Sequence, residues 1–407
     1  MSPRNGPIAG IRIVDLTSVI LGPFATQILA SLGADVVKVE SPEGDNMRHV
    51  GPMRHTHMGP IFLHANQGKR SVVLDLKQAA AQEALHALLA EADVLITNIR
   101  PHAMQRLGFS YKSLSERYPR LICVSCCGFD QKGPYAQRPA YDDLIQGAVG
   151  VPWLSQQYSG GAPSYAPMTL ADRVTGLHAV YAVTAALYAR EKTGMGQEIV
   201  VPMFEAMTQF ILGDHFAGLS FEPPLGSPGY ARLLTQHRRP YRTADGWLCV
   251  LIYNDKHWRN FFAAVGDLER MQDAMFATHA ARAAHIDDVY AEVAQRMRER
   301  TTAQWIQLLD RADIPNMPMA SPEDLLHDMH HTATGFIQKI EHPSEGTMYT
   351  TRAPTQWSGT PLDQQAAPAP QLGEHTADVL KEAGLSAAEI HALIESSAAV
   401  QHAMRSQ

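Results

Sequence analysis

An α/β fold, with a Rossmann-like parallel sheet in its large domain, is the class this 407-residue sequence predicts. Two observations carry the prediction. Short, continuously apolar runs recur through the first half of the chain, and helical segments separate them. Strands apolar on both faces are the mark of a parallel sheet covered by helices.

IRIVDL (11–16) is the first strand, PFATQILASLGA (23–34) a helix and DVVKVE (35–40) the second strand. SVVLDL (71–76), a helix over QAAAQEALHALLAEA and DVLITN (93–98) continue the alternation. The short helices PHAMQRLG and YKSLSERYP then lead into LICVSCCGF (121–129). Pro23 and Pro101 stand at first helical turns, where a missing N–H leaves no helix bond unmade. The paired prolines and glycines of SFEPPLGSPG (220–229) read as a linker. Beyond it, PYRTADGWLCVLIYNDKHWRNFFAAVG reads as strand, turn, strand and helix, and more helices run through IDDVYAEVAQRMRERTTAQWIQLLDRA. From about Arg352 the chain turns loop-like and ends in two helices, near 375–384 and 386–397. The expected organisation is a large domain (1–220), a linker (221–230), a smaller α+β domain (231–335) and a C-terminal segment (336–407) that returns to the large domain.

With 45% hydrophobic and 18% charged residues the chain can build a large core. Its net charge of -7 and lack of basic runs argue against nucleic acid and acidic membranes as partners. MSPRNGPIAGIRIVDL has no apolar signal core, and no uncharged apolar run reaches the roughly 18 residues of a membrane span, so a cytoplasmic protein is expected. Cys123 and Cys126 have C-x-x-C spacing, but on a strand they face opposite ways and lack a second ligand pair. Together with Cys127 and Cys249 they read as reduced thiols, and no metal site is expected.

The unit at 11–40 looks like a dinucleotide site, with Gly22 at the turn and Glu40 closing the second strand. A dinucleotide cradle needs G-x-G-x-x-G, whereas VILGPFATQ offers one glycine and a proline, so no tightly bound redox cofactor is expected.

A sharper question comes from LADRVTGLHAVYAVTAALYAREKTGMGQ (170–197). After Arg173, residues 174–189 carry no Asp, Glu, Lys or Arg, which reads as a helix buried on most sides. Asp172 stands alone at its head. The bland reading is an N-cap, a role Asp favours. The chemical reading is a nucleophile.

Several strings in one order resemble the family III CoA-transferases: VDLTSVILGPFATQILASLGADVVKVE, ANQGKRSVVLDLK, DVLITNIRPHAMQRLGFSY, LADRVTGLHAVYAV with TGMGQEIVVPMFEA, PYRTADGW, and QLGEHTADVLKEAGLSAAEI. The resemblance implies ring-shaped subunits interlocked as a homodimer, with acyl-CoA and a small carboxylic acid as substrates. It also implies that Asp172, three residues ahead of the Thr175–Gly176 pair, attacks the acyl-CoA thioester. Such a carboxylate must be ionised and kept from water; a helix N-terminus favours the charge, and an apolar helix keeps the site dry. Among acids, a short dicarboxylate with succinyl-CoA as donor is the preferred pair.

The same resemblance carries CoA contacts onto particular positions. Val19, Ile20 and Leu21 match the loop beside the thioester and adenosine arm; Ile20 replaces a frequent glutamine. Ser41 stands where an arginine is found in the oxalate enzymes. Leu74 and Lys77 match adenine and phosphate contacts, and Asn98, Ile99, Ala103 and Arg106 match the segment lining the nucleotide and its phosphates. Arg106 is the foremost phosphate ligand, because a guanidinium can grip phosphate through two parallel N–H donors. Tyr141 and Asp142 match a tyrosine and an acid near the reacting centre.

Tyr141 also bears on the alternatives. The α-methylacyl-CoA racemases share this fold and are expected to pair the aspartate with a histidine in a G-H-D motif. A phenol with a pKa of about 10 is a poor base near neutral pH, which disfavours racemisation. A non-catalytic CoA-thioester binder is the third reading. His178 reads as a hydrogen-bonded core residue, His55, His57 and His64 as a substrate-side loop, and HDMHH (327–331) as a solvated helix end. Gly226 and Gly229 do not reproduce the glycine run of the oxalate enzymes' lid.

Overall fold

The computed structural model describes residues 5–363, 365 and 367–402. Six parallel strands form the scaffold: β1 (Arg12–Leu16), β2 (Asp35–Glu40), β3 (Lys69–Leu74), β4 (Val94–Thr97), β5 (Ile122–Cys127) and β6 (Glu198–Pro202). Their spatial order is β3-β2-β1-β4-β5-β6, and a short strand, Ala399–Val400, closes the β3 edge antiparallel. Chain order therefore reverses between β1 and β4, which pair in register from Ile13 against Val94 to Leu16 against Thr97. In open parallel sheets that reversal leaves a crevice beyond the carboxyl ends of the strands, where ligands bind.

Alternation along the strands assigns the two faces. Val14, Leu16, Val37, Val39, Val72, Leu74 and Leu95 share one core with Leu85, Leu88 and Leu89 of the helix Ala79–Ala90. Val379, Leu380, Ile390 and Leu393 of the C-terminal helices Thr376–Glu382 and Ala387–Glu395 fill the same core. These helices and the closing strand supply apolar cover that β3 otherwise lacks. The other face receives the helices Leu21–Ser31 and Leu170–Thr193.

One compact unit comprises residues 1–149, 167–209 and 332–407, and a second comprises 150–166 and 210–331. The segment 150–166, inside the stretch read from sequence as large domain, belongs to the second unit. Its helix Val151–Ser159 is tied there by the Tyr158 hydroxyl, which donates to the Arg238 carbonyl at 2.8 Å. The second unit is α+β: strands Tyr241–Arg242, Trp247–Val250 and Asn316–Pro318 form an antiparallel sheet. Trp258, Phe261, Phe262, Phe276 and Trp305 make its core.

Four strand regions escaped the sequence reading: β6, Asn316–Pro318, the hairpin of Ile337–His342 with Gly346–Thr351, and the closing strand Ala399–Val400. These strands are short or half-exposed, so their apolar signal is weak.

The helix Leu170–Thr193 qualifies one expectation. It is buried on most sides, but one face is open: Leu177, Tyr181 and Tyr188 are 53%, 59% and 67% exposed. They recur at i, i+4 and i+11, so they form a stripe on one helix face.

Candidate active site

Five of the loops that follow the parallel strands meet along the carboxyl edge of the sheet. Val19 follows β1, Ser41 follows β2, Lys77 follows β3, Asn98 and Ile99 follow β4, and Tyr141 and Asp142 come at the end of the loop after β5. The strands β3 and β4 are three spacings apart, about 15 Å at roughly 4.8 Å each, so the candidate residues along that edge are spread over the length of an extended ligand.

At the switch point the loops are laced together. Asn98 accepts from the Ser18 N–H at 3.1 Å and donates to the Ser18 carbonyl at 2.9 Å. The Val19 N–H donates to Asp45 at 3.1 Å. Val19 itself holds φ +73°, a left-handed conformation that is a true outlier for a β-branched side chain. Such strain, on the order of 1–3 kcal/mol, persists only when the surroundings over-determine it.

The surroundings are a buried charge network under the loop. Asp15, fully buried, accepts from the Thr17 N–H and hydroxyl, from the Thr26 hydroxyl at 2.6 Å and from Lys69 at 3.1 Å. Lys38, also fully buried, donates to the Thr17 carbonyl at 2.8 Å and to Asp45 at 3.0 Å. Burial alone would raise the Asp15 pKa, but Lys69 and Lys38 outweigh it and hold the carboxyl at about 2. Burial dominates at Lys69 and brings its ammonium down to about 8, in spite of Asp15. Beside this network, Arg48 grips Glu40 through two nitrogens at 2.7 and 2.8 Å. Of these residues sequence reasoning singled out only Glu40, as the end of the second strand. The available signal was the charge at Asp15, Lys38 and Lys69 inside otherwise apolar strands.

Asp172 sits in the first turn of its helix, which starts at Leu170 after Thr169; it is therefore not the N-cap. Its own N–H is capped from another helix. Asp142 Oδ1 accepts that N–H at 2.9 Å, while Asp142 Oδ2 accepts from Gln146 at 2.6 Å. The Thr175–Gly176 pair has a steric basis. The Thr175 hydroxyl turns back onto the Ala171 carbonyl at 2.7 Å. A Cβ on Gly176 would stand 2.9 Å from the Leu21 carbonyl oxygen and 2.9 Å from Phe24 Cδ1. The aspartate's helix therefore lies directly on the loop that carries Val19, Ile20 and Leu21. Gly22 serves the same close approach, since a Cβ there would fall 2.2 Å from Thr17 Cβ.

The electrostatics differ from expectation. Asp172 is 9% exposed, and burial, reinforced by the Asp142 carboxylate, raises it to about 7 in spite of Arg173. The helix terminus does not keep this acid fully ionised at neutral pH. It is a carboxyl poised to be half charged, in a site with little water.

The other candidates vary in accessibility. Tyr141 is 67% exposed, and Ser41, Lys77 and Arg106 are exposed. Asn98, Ile99 and Ala103 are half-buried. Ile20 and Leu21 are buried at the helix start, and Leu74 is sealed in the core at 1% exposure, so it forms wall rather than surface. His178 is half-buried and bonds the Val174 carbonyl of its own helix at 2.9 Å. His55 pairs with Glu345 at 3.2 Å, and His57 stacks edge-on against His49. Cys123 and Cys126 are buried free thiols, and burial raises Cys123 to about 12. No described helix is long and apolar enough to cross a membrane.

Comparison with known proteins gives a consistent picture. The profile of CoA-transferase family III matches residues 8–376. A succinate–glutarate CoA-transferase of Agrobacterium fabrum is 33% identical over 94% of this chain and 97% of its own. A formyl-CoA:oxalate CoA-transferase of Shigella sonnei is 32% identical over 95% and 98%. Among solved structures, a CaiB/BaiF family protein from Brucella suis superposes with a TM-score of 0.78 at 30% identity, covering 93% of this chain and all of that one. A hypothetical protein from Mycobacterium tuberculosis gives 0.78 at 27% identity over 93% of this chain.

Proposed function

This chain belongs to CoA-transferase family III, and we propose that it moves coenzyme A from an acyl-CoA to a free carboxylic acid with Asp172 as covalent nucleophile. The observation that supports this most is the setting of Asp172: 9% exposed, next to Asp142, and packed through Gly176 onto the loop at the sheet's switch point.

The carboxylate oxygen attacks the thioester carbonyl, the C–S bond breaks, and CoA thiolate leaves behind a mixed anhydride. Thiolate then attacks the aspartyl carbonyl, releasing the donor acid and leaving an aspartyl-CoA thioester. The acceptor carboxylate attacks that thioester to form a second anhydride, and thiolate takes the acceptor's acyl group away. Each step exchanges one acyl bond for another, so no energy source is needed. Exclusion of water protects the anhydrides, and the neutral form of Asp172 must lose a proton before each cycle.

The edge of the sheet from Lys77 to Asn98 suits the nucleotide arm of CoA, with Arg106 offered to a phosphate. The curated relatives named above act on succinate and glutarate or on oxalate, and a short dicarboxylate acceptor is the reading adopted for this chain. A second copy of the chain is proposed to cover Leu177, Tyr181 and Tyr188, on the helix that carries Asp172.

Asp172→Ala tests the assignment. The variant should lose transfer between succinyl-CoA and glutarate while still binding CoA by calorimetry. Turnover like that of the unaltered chain would remove the mechanism, and deuterium washed into Cα of a branched acyl-CoA would favour racemisation instead.

A further inference from the structure

The second unit holds a cavity of about 350 Å³ that the reading above does not use. Its wall is aromatic and aliphatic: Trp258, Tyr241, Tyr290, Ile252 and Val293 are all at most 9% exposed. Arg232, Arg238 and Arg239 also line it. Three other arginines of this unit are paired with carboxylates: Arg270 and Arg296 share Glu292, and Arg282 meets Asp255. The three around the cavity make no ion pair with a carboxylate among the described residues.

The turn presenting two of them is fastened in place. Thr235 is buried and its hydroxyl bonds the Asp287 carboxylate. The same hydroxyl accepts the His237 N–H at 3.2 Å, and the Thr235 carbonyl accepts the Arg238 N–H at 3.2 Å. Tyr158 holds the Arg238 carbonyl from the other side. Three arginines thus line a preformed apolar hollow with no described carboxylate to offset their charge, and an anion there would supply that offset. A guanidinium fork matches a carboxylate through paired donors, and the apolar wall suits a hydrocarbon body.

We propose that this cavity binds a dicarboxylic acid, one carboxylate held by Arg232, Arg238 and Arg239 and the carbon chain lying against Trp258 and Ile252. The proposal deepens the CoA-transferase reading and rests on it for the class of acid. A phosphate of CoA is the other source of anionic oxygens, and the experiment separates the two.

Cys249 lines the same cavity and is exposed, whereas burial raises the Cys123 thiol to about 12 and that of Cys127 to about 11. A neutral alkylating agent such as iodoacetamide should therefore modify Cys249 first, as read by peptide mass spectrometry. In the Asp172→Ala chain without any acyl-CoA, glutarate or adipate should slow that alkylation several-fold. Inorganic phosphate and adenosine 3′,5′-diphosphate should not. Replacing both exposed arginines, Arg238→Ala with Arg239→Ala, should abolish the protection, with continued resistance of Cys123 and Cys126 reporting an intact fold. Absence of protection by either diacid, equal protection by the phosphates, or protection that survives the double replacement would overturn the site. Because Asp172 takes no part in this assay, failure here is distinct from failure of the transfer mechanism.

Discussion

At the scale of single residues, the site turns on how two carboxyl groups share one helix end. Asp142 caps the Asp172 N–H and adds its charge to the burial that raises Asp172 to about 7. The proposed mechanism uses the deprotonated form, so on it kcat/KM should fall as pH drops through about 7. Asp142→Asn keeps an acceptor oxygen for the cap but removes the charge; its acidic limb should shift to lower pH, and an unmoved limb would contradict the pairing. The same shift has a stability consequence. A folded pKa of about 7 against 3.8 unfolded means the stability it contributes is full below pH 4 and lost as pH rises through 7. Asp172→Asn, permanently neutral, should therefore gain Tm over the unaltered chain at pH 8 but not at pH 4, by up to about 4 kcal/mol at 1.36 kcal/mol per unit. Equal melting curves at pH 8 would deny the burial. Asp172 and its Thr-Gly pair drew notice in the sequence through the resemblance to the family III CoA-transferases, and the close approach of the helix to Leu21 gives Gly176 a steric reason. The partner role of Asp142 as an external cap was not legible, since a contact across 30 residues leaves no local pattern.

At the scale of elements, the sequence carries most of the parallel sheet because buried strands are read as continuous apolar runs. β2 was placed to the residue, and β1, β4 and β5 within a few. What the runs hide is the charge inside them: Lys38 lies in DVVKVE, and its partner Asp45 arrives from a loop. That network holds the strained Val19 loop, so the switch-point geometry depends on residues with no place in a motif. Close packing of elements gives a direct prediction. Gly176→Ala should push the Leu170–Thr193 helix off the Leu21 carbonyl, lowering kcat at least tenfold with a loss of about 1–3 kcal/mol in stability. A variant as active as the unaltered chain would show that the contact is not needed. On the helix after β4, Arg106 is exposed and stands outside the chemistry. Arg106→Ala should raise KM for acyl-CoA roughly tenfold and leave kcat within about twofold, as expected for uniform binding of a phosphate. An unchanged KM would place the phosphate elsewhere.

At the scale of the whole molecule, the apolar stripe of Leu177, Tyr181 and Tyr188 sits on the helix that carries Asp172 in its first turn. Sequence reading took that helix as buried on most sides, which fits its composition and the structure; along this one face the single chain does not supply the cover. Tyr181→Glu should reduce the mass measured by light scattering to that of one chain and abolish transfer together with it. A variant that stays associated and active would deny the interface. The division of the chain was only partly legible, because residues 150–166 leave the first unit and return with no change in composition to mark it. The central claim is that an oxygen of Asp172 becomes part of the anhydride, and isotope transfer tests it most directly. Glutarate carrying ¹⁸O in its carboxylates is turned over with succinyl-CoA, and the peptide containing Asp172 is weighed along with the released succinate. Cleavage of the acceptor's anhydride leaves the bridging oxygen on the aspartate, so the peptide should gain one ¹⁸O and later pass it to succinate. Product glutaryl-CoA formed with no label in either the peptide or the succinate would contradict the account.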